Sequence, residues 1–341
     1  MKKVLFATTA LVVSGGIAAA DVTISGYGRT GVLYQEDGVR GGNTNDAIVQ
    51  SRLRMNVDAS TSSDSGIDFG GRVRVQWDQG DASTTLAPGY IYLSAQGLRV
   101  EIGNSNTAYD SAGLMYAPEI GVFDRSYGTP RGLFYAYNTD NYPNRYLTAG
   151  EEEDLGLNDY MGIFASYTVG DLTVRGSVVN PDQVTPNSLL DKEIGISVDY
   201  VWNNIELSAA AVQDGFGIQG NDQYFAGVRY GFNDMAHVGL NYNDNGSFSE
   251  SIDYVDAAGL DQTAVFDENF GTTWTLYGDY TFGLTTVEGY VAHNDADDIN
   301  ETSTAFGLGA NYDLGGARLS GSVQRGFNEL YTADMGVRFD F

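Results

Sequence analysis

The chain has no cysteine in its 341 residues, which excludes a disulfide scaffold, a thiolate zinc site and a cysteine nucleophile. Basic residues are scarce. Against 45 Asp and Glu stand 18 Lys and Arg, a formal charge of −27, so a nucleic-acid binder, which needs a basic footprint, is excluded. Long apolar runs are missing too: nothing after the first twenty residues approaches the ~20 uncharged apolar residues of a spanning helix, and no stretch has the periodicity of an amphipathic helix. What the chain does have is 44 Gly, 23 Tyr and 12 % aromatic residues. Such a composition argues against disorder and points toward strands and turns.

The first twenty residues read as a leader. Met1-Lys2-Lys3 is a basic start, residues 4–13 are apolar, and Ala18-Ala19-Ala20 is a small-residue cleavage signal. A secretory signal peptide over 1–20, cut before Asp21, is expected. The remaining chain then has 16 basic against 45 acidic residues, or −29, and Lys192 is its only lysine. Residues 21–341 are expected to form one domain.

A period of two recurs along that domain. In 48–59, Val49, Leu53, Met55 and Val57 alternate with Gln50, Arg52, Arg54, Asn56 and Asp58. In 67–77, Ile67, Phe69, Val73, Val75 and Trp77 alternate with Asp68, Arg72, Arg74 and Gln76; residues 331–341 repeat the pattern. Successive strand residues face opposite sides, so each segment is a half-apolar strand. Sixteen such strands are expected, at 22–34, 48–59, 66–78, 89–96, 98–104, 160–168, 172–180, 192–202, 205–214, 223–232, 236–245, 271–282, 286–295, 302–313, 316–327 and 331–341. Tight turns (Gly97, 170–171, 203–204, 233–234, 283–284) alternate with longer connections at 35–47, 79–88, 105–159, 181–191, 215–222, 246–270 and 296–301. The short connection 328–330 breaks that trend. Unlike ends of this kind describe an up-and-down transmembrane β-barrel. Aromatics at strand ends, including Tyr34, Trp77, Tyr167, Tyr200, Trp202, Tyr230, Phe232, Tyr280, Phe282, Tyr312 and Phe341, mark two girdles around a lipid band. Closing the sheet leaves no unpaired edge in hydrocarbon.

Ten arginines fall on the inward faces: Arg29, Arg52, Arg54, Arg72, Arg74, Arg99, Arg175, Arg229, Arg318 and Arg338. The first six belong to the first, second, third and fifth strands and should share one wall. Like charges at cross-strand spacing repel and call for a partner. The long connection 105–159 offers one, with Asp110, Glu119, Asp124, Asp140, Glu151, Glu152, Glu153, Asp154 and Asp159. Folded inward on its apolar residues, it would set Asp110, Glu119, Asp124 and Asp140 against the arginines and narrow a passage for polar solutes.

The residues 21–29 (Asp-Val-Thr-Ile-Ser-Gly-Tyr-Gly-Arg), the Ser51-Arg52-Leu53-Arg54 strand, the long third outer connection and the closing Phe341 resemble the general trimeric porins of Gram-negative outer membranes, most closely the Rhodobacter-type porins. The resemblance runs over the whole of 21–341. It implies a sixteen-stranded barrel, a homotrimer in outer-membrane lipid beside lipopolysaccharide, passive diffusion of ions and small hydrophilic solutes, no required cofactor, and calcium held by acidic loop residues, carried here to Glu151, Glu152, Glu153 and Asp154. It also implies that the terminal pattern with Phe339 and Phe341 is read by the barrel-assembly machinery.

Other motifs lead elsewhere. Gly26–Gly31 fits G-x-G-x-x-G, but strand residues follow it where a dinucleotide site needs a helix. The stretch 241–246 imitates an EF-hand start yet lacks the first Asp and the closing Glu. The two histidines, His237 and His293, lack metal-ligand spacing. A barrel enzyme using His293 beside Asp295, and an adhesive barrel, are the competing readings. The eight outer connections hold 26 of the acidic residues and four arginines (Arg40, Arg125, Arg131, Arg145), or −22. An acidic mouth of that kind predicts weak cation preference.

Overall fold

A computed structural model describes residues 21–39, 45–81, 83–137, 161–181, 183, 190–255 and 261–341. Within them lie β1 (Asp21–Gln35), β2 (Ala47–Ser62), β3 (Asp68–Asp78), β4 (Thr85–Leu86), β5 (Tyr90–Ala95), β6 (Leu98–Gly103), β7 (Met161–Val169), β8 (Leu172–Asn180), β9 (Glu193–Trp202) and β10 (Ile205–Gln213). A 3₁₀ turn, Gly215–Gly217, precedes β11 (Gln223–Asn233), β12 (Ala236–Asp244), β13 (Ser247–Val255), β14 (Asp261–Asn269), β15 (Thr272–Phe282), β16 (Thr285–Asn294), β17 (Thr304–Asp313), β18 (Arg318–Arg325) and β19 (Tyr331–Asp340). Each wall strand pairs antiparallel with its neighbours, and β1 pairs with both β2 and β19, so the sheet closes on itself. The wall counts sixteen full strands. The two-residue β4 extends the pairing of β3 above β5, and β13 pairs only with β14, a hairpin standing outside the wall sequence β12–β15. Neither the hairpin nor β4 is anticipated from the sequence, because both sit in stretches that otherwise look like loops.

The wall is inverted relative to a soluble protein. Outward-facing Leu308 is 71 % exposed and Met335 63 %, whereas inward-facing Asn241, Asn243, Gln223 and Thr275 are fully buried. Lipid takes the place of a core on the outside. Aromatics collect at both rims. Trp202, Phe232, Phe282 and Tyr312 lie toward the tight-turn end, Tyr34, Tyr224, Trp274 and Tyr331 toward the loop end, and all are exposed. Tyr230 and Phe232 meet edge to face at 5.0 Å. Gly97 makes the two-residue β5–β6 turn possible: its φ is +87°, and a Cβ there would lie 2.4 Å from the Thr168 carbonyl oxygen.

The apolar core lies inside the barrel, where the long loop after β6 packs on the wall. Tyr109, Leu114 and Met115 meet Ala210, Val212 and Phe225. Ile120 meets Tyr277, Tyr290, Ala292, Ala305 and Phe327, and Val122 and Phe123 meet Leu33. Burial of these apolar residues draws the loop inward rather than letting it extend into solvent.

Candidate functional site

A loop crossing a water-filled lumen needs partners for its main chain, and here the wall side chains supply them. Going out, Ala108 N–H donates to the Ser177 hydroxyl (2.8 Å), Gly113 N–H to Asp199 (3.0 Å), Asn241 Nδ2 to the Leu114 carbonyl (2.7 Å) and Val122 N–H to Asp334 (2.8 Å). Coming back, Tyr127 N–H donates to the Tyr290 hydroxyl (3.0 Å), Thr275 to the Gly128 carbonyl (2.8 Å), Gln223 to the Leu133 carbonyl (2.5 Å) and Tyr135 N–H to Glu193 (2.7 Å). The course of the loop is therefore set by strands from β8 round to β19.

At the far point of this path Ile120 and Arg125 form an antiparallel bridge, with Asp124 in a left-handed conformation, φ 49°. The turn carries the Asp124 carboxylate onto three guanidiniums, Arg29 (3.4 Å), Arg318 (3.3 Å) and Arg338. Register explains why they converge: Arg29 is the direct cross-strand partner of both Arg338 and Arg52, and Arg338 of Arg318. Four arginines thus lie in one row across β18, β19, β1 and β2. Tyr27 offers its ring to Arg338 at 4.4 Å, Arg54 at 5.3 Å and Arg29 at 5.7 Å.

The rest of the basic wall is matched differently from the sequence expectation. Arg52 bonds Asp78 (2.5 Å), Arg72 bonds Asp58 through two nitrogens (2.8 and 3.0 Å), and Arg99 bonds Glu101 (2.6 Å). These carboxylates belong to the wall itself, not to the loop. Arg54 donates to Gln76 and Arg74 to Asn56, and Arg74 also stacks on Tyr137 at 4.0 Å. On other strands Arg175 pairs with Asp199 and Arg229 with Glu206.

Of the expected loop carboxylates among the described residues, Asp124 is the one that pairs with the arginines. Asp110 instead accepts from the Tyr116 hydroxyl within the loop (2.6 Å), and burial raises its pKa. Glu119 stands near Asp124 on the lumen side. Burial between loop and wall, reinforced by the Asp124 charge, pushes its carboxyl up to about 8. Asp140, Glu151, Glu152, Glu153 and Asp154 lie outside the described residues. Among the described residues no group of three metal-ligating side chains occurs. The wall carboxylates Asp58, Asp78 and Glu101 and the loop-holding residues Ser177, Glu193, Asn241 and Asp334 do not emerge as partners from the sequence. Their signal was available as polar residues at inward positions, but register decides which groups they meet.

The motifs set aside stay unremarkable as sites. Gly26–Gly31 lies within β1. Asn241 and Asn243 are buried inward residues of β12, and Asn245 receives the Arg131 N–H. His293 is exposed on the outward side of β16, while the Asp295 carboxylate is taken by the Thr272 N–H, so the two form no catalytic pair.

The Gram-negative porin family model matches residues 7–329. The chain belongs to the Gram-negative porins. A porin of Fuscovulum blasticum is 40 % identical over 324 residues, spanning 94 % of this chain and all of that one. A porin of Rhodobacter capsulatus is 27 % identical over 351 residues with the same coverage. Among solved structures, an Rh. blastica porin mutant with two acidic residues changed to alanine is 39 % identical and superposes with a TM-score of 0.79, covering 94 % of this chain and all of that one. As a porin the molecule is a passive, non-enzymatic channel, an integral β-barrel of the outer membrane. Its polar interior suits that role: the inward side chains hydrate a passage while the outward ones meet lipid.

Proposed function

We propose that the turn around Asp124 and the arginine row on β18, β19, β1 and β2 form the constriction that sets which ions and small hydrophilic solutes pass. The observation that carries this reading is one loop carboxylate lying on Arg29, Arg318 and Arg338 at once. The basic wall then continues through Arg52, Arg54, Arg72, Arg74 and Arg99, and the loop contributes Asp110, Glu119 and Asp140. Charged rims of opposite sign orient polar solutes and disfavour apolar ones. Single-channel conductance with sized neutral sugars tests it: a sharp exclusion limit that rises when residues 110–137 are shortened supports a constriction there, and an unchanged limit opposes it.

The working unit is a homotrimer. On the outward face of β1 and β2 the Thr30 and Ser51 hydroxyls lie 2.8 Å apart, a polar pair better covered by a neighbouring subunit than by lipid tails. Conductance rising in steps of three supports this assembly. Residues 1–20 act as a cleaved leader. Phe339 and Phe341, stacked at 6.1 Å where β19 closes onto β1, serve as the signal for the barrel-assembly machinery. The acidic mouth binds calcium through Glu151, Glu152, Glu153 and Asp154, an all-oxygen donor set that suits a hard cation, and meets lipopolysaccharide through such cations.

A further inference from the structure

Five carboxylates of the wall, Asp58, Asp78, Glu101, Asp199 and Glu206, are each bound to an arginine. Asp279 on β15 and Glu288 on β16 differ. Both face inward, since Leu276, Tyr280, Val287 and Val291 are the exposed, outward residues of the same strands. They are direct cross-strand partners, so two like charges stand side by side, an arrangement that destabilises a sheet. Among the described residues neither forms an ion pair with Arg or Lys. Asp279 meets the imidazole of His237, its cross-strand neighbour on β12, at 2.9 Å, and that ring is charged only when protonated. Glu288 accepts from the Gly121 N–H (3.3 Å) and from the Asn311 amide, both neutral donors. Arg318 lies near by, but its guanidinium is turned to Asp124 (3.3 Å).

Both carboxylates line a recess of about 370 Å³ between residues 117–120 and the wall strands β15 to β18. The Asp279 side chain is 28 % exposed. Opposite Glu288 on β17 stands Gly309, so no side chain covers the carboxylate from that strand. Glu119 adds a third carboxyl from the loop side. The pair lies toward the tight-turn ends of β15 and β16, which is the periplasmic side of a porin. We infer that Asp279 and Glu288 are selectivity-determining residues of the channel, a lane for cations beneath the loop turn. With no fixed cation beside them, their charge is compensated by mobile ones, so cations are enriched and anions depleted along this stretch of wall. The arginine row belongs to β18, β19, β1 and β2, so the two signs of ion are drawn to different parts of one lumen. The inference rests on the channel being open to water, not on the constriction being at Asp124.

The test is the reversal potential across KCl gradients at one fixed pH. Asp279→Asn with Glu288→Gln removes both charges, keeps both shapes and leaves an acceptor for the Gly121 N–H. A unit charge ~10 Å from the ion path changes the cation-to-anion permeability ratio about threefold at 0.01 M salt and under about twofold at 0.1 M. The double variant should therefore lower the ratio about eightfold at 0.01 M and about threefold at 0.1 M. His237→Arg leaves both acids in place and gives Asp279 the partner that the five other carboxylates have. It should lower the ratio about threefold at 0.01 M. A double variant with the wild-type ratio overturns the proposal, as does a wild-type ratio in His237→Arg. So does a fall that is equally large in 1 M KCl, where exposed charges are screened. If shortening residues 110–137 leaves the sugar exclusion limit unmoved while the double variant still loses selectivity, this proposal is supported and the constriction reading is not.

Discussion

Replacing Asp124 by Asn changes the charge at the arginine row by one unit and little else. Asp124 has φ 49°, a left-handed conformation that Asn adopts readily and most other residues do not. The loop on either side is held through its own main chain by Asp334 and Tyr290, so its path does not depend on the carboxylate. The magnitude follows from Coulomb's law. An ion passing ~10 Å from the site in water feels about 0.4 kcal/mol per unit charge. Screening leaves roughly 0.3 kcal/mol at 0.01 M salt and roughly 0.15 kcal/mol at 0.1 M. The sign is opposite for cation and anion. The cation-to-anion permeability ratio of Asp124→Asn should therefore fall about threefold at 0.01 M and by under about twofold at 0.1 M. Reversal potentials across KCl gradients at the two salt levels give the ratio directly. An unchanged ratio at 0.01 M, or an equal change at both salts, refutes the placing of Asp124 within reach of the permeating ions.

Other outcomes follow from the same geometry. The Glu119 carboxyl is neutral below its raised pKa of about 8 and charged above it, so cation preference should grow between pH 6 and pH 9.5, and Glu119→Gln should flatten that rise; a wild-type profile already flat counts against a lumen-facing Glu119. Glu193 is fully buried and accepts N–H groups from Tyr135 and Phe216 (2.7 and 2.9 Å), and leaving these donors unpaired costs about 1–3 kcal/mol each. Glu193→Ala should accordingly lower the temperature at which the barrel unfolds in detergent and add current noise as the returning arm of the loop loosens, with Glu193→Gln milder on both; a quiet, equally heat-resistant Glu193→Ala channel removes the anchoring role. Loss of Phe341 takes away the ring stacked on Phe339 and the paired Gly26–Phe341 main-chain bonds that close the barrel (2.7 and 3.0 Å). Less folded barrel should reach the outer membrane, read from heat-modifiable gel mobility, and wild-type yield would count against the terminal signal.

The wall was legible because hydrocarbon outside and water inside impose a strict period of two. The boundaries of β1, β8 and β15 agree with the alternation to within a residue. The row Arg318–Arg338–Arg29–Arg52 was not, since the alternation tells which side a residue faces but not which residue lies opposite it. Register supplied that, and with it the finding that Asp78, Asp58 and Glu101 neutralise their own wall. The inward fold of the loop was legible in Tyr109, Met115 and Phe123, apolar residues in a segment too long to be a simple connection. Its path was not, because it follows hydrogen bonds from its main chain to Ser177, Asn241 and Asp334, and main-chain groups leave no mark in a sequence.

On the proposed reading, the loop turn at 119–124 narrows the passage against the arginine row. Because the chain has no cysteine, a single Glu119→Cys thiol would be its sole reactive site. Modifying that thiol with a bulky cationic methanethiosulfonate, while recording from single channels, should cut conductance sharply and shift selectivity toward anions, and a reducing agent should restore both. A channel whose conductance and selectivity ignore the modification, once labelling is confirmed by mass, would contradict the account.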